Sequence, residues 1–291
     1  MRVAVVGATG TIGRPLVRAL SAEHAVVGVA RTPPATTDDE VEWLAADATD
    51  AEAMRRALDG AEMVYHLVHS LGSSDFEELD RAAAKAVVAG AAAGGARQIV
   101  YLGGLGEGAS PHLRSRAETA RILNAGPVPV TTLRAAMIVG AGSAAFETIL
   151  ALVERLPVMI CPRWVSVATQ PVAVADVLGV LVGVCGMSAA FDQVFDLGGP
   201  EVMTYRTMME RVARIRGKQP LLIEVPFLTP RLSSLWLHLV TPASVAVARP
   251  LVEGLRVPTV AEDDRIWELV GLKRTSFDDA IRSALGARER P

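Results

Sequence analysis

Arg2-Val3-Ala4-Val5-Val6-Gly7-Ala8-Thr9-Gly10-Thr11-Ile12-Gly13 leads into the helical run Pro15-Leu16-Val17-Arg18-Ala19-Leu20. A short apolar run ended by glycine reads as a buried strand entering a turn. Without a Cβ, a glycine lets the backbone bend sharply and approach a pyrophosphate, and a later glycine lets helix and strand pack closely. Free amides at the helix start then face the anion. Pro15 is tolerated early in the helix, where its missing N–H would have had no partner. The spacing is G-x-x-G-x-x-G, one residue longer in its first gap than the G-x-G-x-x-G dinucleotide fingerprint. Taken with the strand before it and the helix after it, the stretch predicts that Gly7, Thr9, Gly10, Thr11, Ile12 and Gly13 cradle a dinucleotide. An ordinary strand-turn-helix is the alternative.

Working outward, strand-like runs alternate with helical ones. Strands are expected at Arg2–Val6, Val26–Ala30, Val41–Ala46, Met63–Val68, Gln98–Leu102 and Pro129–Leu133. Helices are expected at Ile12–Ala22, Ala51–Leu58, Phe76–Ala93 and Arg114–Ala125. Such alternation, with apolar strands and few hairpin signals, predicts an α/β Rossmann-type doubly wound parallel sheet. Beyond residue 140 the rhythm loosens into a helix at Ala144–Leu156, an extended segment at Trp164–Pro171, a helix at Ala175–Met187 and a strand at Gln193–Leu197. From Thr204 the chain reads as mostly helical. The expected division is a cofactor-binding core over 1–140 and a smaller, mostly helical substrate-side part over 141–291 that returns strands and helices to the core.

The 291 residues are 51% hydrophobic and 21% charged, a composition suited to helices packed on a buried parallel sheet. The net charge is −3 without a basic stripe, which argues against nucleic acid as a partner. Met1 leads straight into a strand, and there are two cysteines, Cys161 and Cys185; both features suggest a reducing cytoplasm. The stretch Leu232–Ala248 is poor in charge yet slightly short for a spanning helix, so it is expected as a buried or interfacial helix that permits peripheral membrane contact. No His, Cys and carboxylate cluster has metal spacing, and no metal is expected.

Dinucleotide sites that select NAD usually place an acid at the end of the second strand, for the ribose 2′-hydroxyl. Here the strand ends Val29-Ala30-Arg31, and a guanidinium suits a 2′-phosphate, where a carboxylate would repel it. NADP(H) is therefore expected over NAD(H), with a solvated surface arginine as the alternative. Asp47, followed by Ala48, ends the third strand where an adenine edge would lie, and Asp50 is expected to cap the next helix.

Gly7 to Gly13, Arg31, Asp47-Ala48-Thr49-Asp50, Ile99-Val100-Tyr101-Leu102-Gly103-Gly104 and Leu133-Arg134-Ala135-Ala136-Met137-Ile138-Val139-Gly140 together resemble the atypical and extended short-chain dehydrogenase/reductases. Within them the similarity is to NmrA-like and epimerase-like bacterial NAD(P)-binding proteins. The resemblance implies that Leu67-Val68-His69 runs along the cofactor, that Ala135 and Ala136 lie beside the nicotinamide, and that Gly103 and Arg116 belong to the cofactor site. Family enzymes carry Ser or Thr after the fifth strand and Tyr-x-x-x-Lys on the next helix. This chain has Gly103-Gly104 and His112-x-x-x-Arg116 in those places.

His112 and Arg116 are four apart and share a helical face, so they offer an imidazole acid/base beside a guanidinium anchor. The alternative is a helix-start histidine and a solvated arginine. His69 is the rival proton carrier. His66 and His69 are expected on one strand facing opposite sides. Asp176 is expected as a helix N-cap, Cys161 as a small core residue, and Trp164, Phe227 and Trp236 as either pocket wall or core. Three functions follow: an NADP(H)-dependent oxidoreductase on a small, largely apolar substrate with a non-standard proton donor; a non-catalytic NADP(H) sensor or assembly factor with a regulatory protein partner; and a membrane-peripheral protein acting on a lipid or quinone.

Overall fold

In the strand β1 (Arg2–Val6), Val3 and Val5 enter one hydrophobic core while Ala4 and Val6 enter another, and all four are buried. Successive side chains of a strand point to opposite faces, so a strand covered on both sides must be apolar throughout. The computed structural model describes residues 1–35, 40–106, 108, 110–225 and 256–288. Beside β1 run β2 (Ala25–Ala30), β3 (Val41–Ala45), β4 (Met63–His66), β5 (Gln98–Gly104), β6 (Val130–Ala135) and, from the second half of the chain, β11 (Val194–Leu197). They form a seven-stranded parallel sheet in the order β11-β6-β5-β4-β1-β2-β3. The order reverses between β1 and β4, and a doubly wound sheet opens its ligand crevice at that point.

Helices α1 (Gly13–Ser21), α6 (Val174–Gly183) and α8 (Arg265–Val270) cover the Val3 face, bringing Leu16, Leu20, Val177, Leu181 and Trp267. Helices α2 (Ala51–Ala57), α3 (Phe76–Gly94) and α4 (Pro111–Asn124) cover the Ala4 face with Met54, Leu58, Val87 and Leu123. Asp50 caps α2, its carboxylate accepting from the Glu52 and Ala53 amides. Ser110 caps α4 and Pro111 sits in its first turn, so α4 starts before the expected Arg114 and carries His112. A third core lies among α5 (Ala144–Arg155), α7 (Tyr205–Ile215) and α9 (Phe277–Arg288), built on Phe146, Leu150, Met208, Val212 and Ile281.

Several expectations for the second half are corrected. β8 (Val158–Pro162) and β13 (Leu221–Val225) pair in parallel, with Leu221 opposite Val158, where the sequence suggested no strand at the first and helix at the second. Trp164–Pro171 is not one extended segment. Arg163–Ser166 forms a 3₁₀ turn, followed by the two-residue β9 (Ala168–Thr169), which pairs with β12 (Met203–Thr204). Asp176 is not an N-cap: α6 is capped at Ala173, and the Asp176 carboxylate, in the first turn, accepts from the Thr275 amide and hydroxyl. β4 ends at His66, so His69 lies in the loop beyond it and the two histidines do not share a strand. Residues 232–248, with Trp236, and also Phe227 lie outside the described residues. No helix among the described residues is long and apolar enough to cross a membrane.

Candidate functional site

Gly7 turns the chain at the end of β1 with φ +93°, a left-handed backbone that glycine adopts without strain. Its amide and that of Ala8 both donate to the Val29 carbonyl, which ties the turn to β2. The Gly10 amide donates back to the Gly7 carbonyl at 3.1 Å. A Cβ on Gly13 would lie 2.2 Å from the Gly7 carbonyl oxygen, so α1 can begin this close to the turn only with glycine there. Thr11 donates to the Gly142 carbonyl, and Ile12, the residue before α1, packs into the core. Thr11, Ile12 and Gly13 thus brace the turn from behind, while Gly7, Thr9 and Gly10 face a cavity of about 620 Å³ at the β1/β4 switch point.

That cavity is also walled by Arg31, Asp47, Ala48, Leu67, Val68 and His69. Arg31 is exposed, and its charge acts on Asp47 across the cavity end. The Thr49 amide and hydroxyl both donate to Asp47 and hold its carboxyl below the usual carboxylate range. The turn, the helix start and the two strand ends are the parts that a dinucleotide needs: close backbone for the pyrophosphate, a helix N-terminus, and a polar far end for the ribose. The residues present fit that group.

Behind His69 lies a buried polar cluster. Asp80, 4% exposed on α3, accepts from the Ser70 amide at 2.8 Å and from the Ser115 hydroxyl at 3.0 Å. Its Oδ2 is 3.4 Å from His69 Nδ1. Burial opposes the charge of Asp80, but His69 and the two serine donors outweigh it and hold the carboxyl at about 2. The His69 and His112 rings touch with centroids 4.9 Å apart. Burial, helped by the Arg116 charge, pushes His69 down to about 4 and His112 to about 3, so both imidazoles are neutral at pH 7. His69 Nε2 and His112 Nδ1 are buried without a hydrogen-bond partner among the described residues.

The structure brings His69 and His112 together, and only His69 of the two lines the large cavity. It does not bring Arg116 or Gly103 to the glycine turn: they line a separate cavity of about 180 Å³ against Arg134 and Val194. One Arg116 nitrogen donates to the Leu102 carbonyl at 2.8 Å, and the Tyr101 hydroxyl donates to the Arg116 carbonyl, pinning α4 to β5. Ala135 and Ala136 are buried at the end of β6, where the Ala136 amide donates to Leu197. Cys161 is buried in the third core, which pushes its thiol up to about 11, and Trp164 packs edge-on to Tyr205 in the same region. Among the described residues no group of His, Cys, Asp and Glu is arranged to hold a metal. Sequence reasoning missed Asp80 and Ser115. A signal existed for the first: Asp80 falls in the buried stripe Phe76, Ala83, Ala84, Val87 of α3, where an acid is out of place.

Residues 7–138 match the family model described as NAD(P)H-binding, and the match begins at the first glycine of the turn. That stretch is an NAD(P)H-binding domain. The domain and the fold agree with the resemblance to extended short-chain dehydrogenase/reductases. The chain is similar in structure to a nucleoside-diphosphate-sugar epimerase from Staphylococcus aureus, with TM-score 0.79, 15% identity, and 97% of this chain and 100% of that one covered. A UDP-glucose 4-epimerase from Thermotoga maritima gives TM-score 0.76 at 16% identity, covering 100% of this chain and 99% of that one. At these identities the likeness is one of fold. In sequence, a ceramide reductase of Caulobacter vibrioides is 28% identical over 77% of this chain and 73% of its own length. An uncharacterized protein of Mycobacterium tuberculosis is 42% identical over 81 residues, 28% of this chain, and the match spans only 10% of that protein.

Proposed function

We propose that the chain is a cytoplasmic NADP(H)-dependent oxidoreductase acting on a small, largely apolar substrate. In this reading 1–140 holds the cofactor and 141–291 shapes the substrate side. The observation that carries it is the wall of the 620 Å³ cavity, where the glycine turn, Arg31 and His69 line one crevice. Arg31 would take the 2′-phosphate as a charge-assisted fork. Bound NADP(H) supplies the hydride chemistry. The chain supplies the proton carrier from His69 and His112, with burial, helped by the Arg116 charge, keeping both imidazoles neutral. An apolar substrate is supported by the 28% identity to a ceramide reductase. The test is NADPH oxidation followed at 340 nm over a panel of long-chain ketones, enones, quinones and ceramide-like carbonyl compounds. Turnover of one of them supports the reading. Tight NADPH binding with no turnover favours the non-catalytic redox sensor or assembly factor.

One observation favours peripheral membrane contact as a second reading. Val158 and Ile160 on β8 and Leu221 and Ile223 on β13 are all exposed, and they alternate along two paired strands so as to share a face. Sedimentation with phosphatidylglycerol vesicles, compared for wild type and Ile160→Ser/Leu221→Ser, tests it. Equal sedimentation of the two proteins argues against it.

A further inference from the structure

Among the described residues, His69 is the cavity-lining side chain that keeps a ring nitrogen without a partner. Asp80 is an ionised carboxylate and only accepts hydrogen bonds, so its contact with His69 Nδ1 requires the ring proton on Nδ1. Nε2 of His69 is then an acceptor; it is buried with no partner among the described residues, and the His69 side chain lines the large cavity. Buried polar groups without partners are uncommon, and each asks for a ligand. The three donors to Asp80 come from α4 (Ser115) and from the loop beyond β4 (Ser70 and His69), so the carboxylate is fixed before any ligand arrives.

We propose that Asp80 is a positioning residue that holds His69 in the Nδ1–H tautomer, so that Nε2 serves as the proton acceptor for a substrate hydroxyl in the cofactor cavity. The proposal rests on the oxidoreductase reading above. In alcohol oxidation the hydroxyl proton moves to Nε2, and the carbinol hydrogen leaves with its electron pair to oxidised NADP. Ketone, NADPH and an imidazolium paired with Asp80 result, and the proton then passes to water. Carbonyl reduction is the reverse, with the imidazolium as donor. A neutral imidazole oriented by a carboxylate is a general base, which replaces the hydroxyl chemistry of the missing tyrosine. The charged and titratable groups that face His69 are Asp80 from α3 and His112 and Arg116 from α4. Asp80 favours the imidazolium and Arg116 opposes it.

The tautomer is read without any substrate, by long-range proton–nitrogen correlation spectra of ¹⁵N-histidine-labelled protein at pH 7. The expected wild-type state of His69 is Nδ1–H, lost or mixed in Asp80→Asn and retained in Ser115→Ala. Diethyl pyrocarbonate gives a second readout, located by peptide mapping: it should modify His69 at Nε2 slowly, as ring motion opens that buried atom to the cavity, with NADPH protecting. Asp80→Asn should slow that modification about tenfold, the scale of ~1.4 kcal/mol for one charge-assisted hydrogen bond. An Nε2–H tautomer in the wild type, or modification unaffected by bound NADPH, overturns the proposal while leaving the cofactor reading intact. Should NADPH not bind at all in calorimetry, both fall together. If Asp80→Asn does not fold, the wild-type tautomer and the NADPH protection decide alone.

Discussion

Replacing Gly13 by alanine tests whether the close approach of α1 to the turn matters for both fold and ligand. The new Cβ would lie 2.2 Å from the Gly7 carbonyl oxygen and 2.9 Å from the Ala8 Cα, and both neighbours are backbone that cannot swing aside. To reach an ordinary contact, the start of α1 must lift by about 1 Å, a strain of the overpacking kind that costs about 1–3 kcal/mol. Better helix propensity returns at most ~1 kcal/mol. The melting temperature should fall by roughly 2–4 °C for each net kcal/mol lost. The same lift draws the first amides of α1 away from a bound pyrophosphate. Hydrogen bonds to a charged group are worth about 1.5–3 kcal/mol each, so NADPH affinity should drop roughly tenfold or more. Thermal melts and calorimetric NADPH titration measure the two effects. Gly286→Ala is the control, since nothing among the described residues lies within 4 Å of its Cβ position in α9. Wild-type stability together with wild-type affinity in Gly13→Ala would refute the reasoning.

Burial holds His66 at about 4 against an ordinary 6.5, so the unfolded chain takes up the proton first. The stability that His66 contributes is full above pH 6.5 and falls at about 1.4 kcal/mol per pH unit as pH drops toward 4; His66→Phe, which keeps a ring against Tyr101, should lessen the loss of urea midpoint between pH 7.5 and 5, and an unchanged loss contradicts this. Asp176→Ala removes the acceptor of two Thr275 hydrogen bonds that tie the chain before α9 to α6, and should destabilise by about 1–3 kcal/mol in urea unfolding. A wild-type midpoint there would mean that the link carries no stability.

The first half of the fold was legible because its strands are covered on both faces. Runs such as Val3 to Val6 are continuously apolar, and the glycine turn and Asp50 punctuate them with residues whose local physics is unambiguous. The second half was less so. β8 and β13 lie far apart in the chain and find each other only through tertiary packing, so the apolar stretches Val158 to Cys161 and Leu221 to Ile223 carry no local sign of which strand pairs with which. The glycine turn could be read from its spacing together with the strand before it and the helix after it, since every part of it is local. The cluster behind His69 could not, because Ser70, Asp80, His112 and Ser115 come from one loop and two helices, and only the packing of α3 against α4 brings them together. Arg116 illustrates the converse: its spacing from His112 is right for a shared face, yet its guanidinium bonds the Leu102 carbonyl and lines another cavity.

The most direct measurement is the equilibrium dissociation constant of NADPH and of NADH, by fluorescence titration, for the wild type and Arg31→Ala. Arg31 stands on the cavity wall just beyond β2, where in the proposed reading its charge would be taken by a 2′-phosphate. The wild type should bind NADPH roughly tenfold or more tighter than NADH, as one charge-assisted contact warrants, and Arg31→Ala should erase that ratio by weakening NADPH alone. Equal or tighter binding of NADH by the wild type, or an equal loss of both dinucleotides in the variant, would contradict the account.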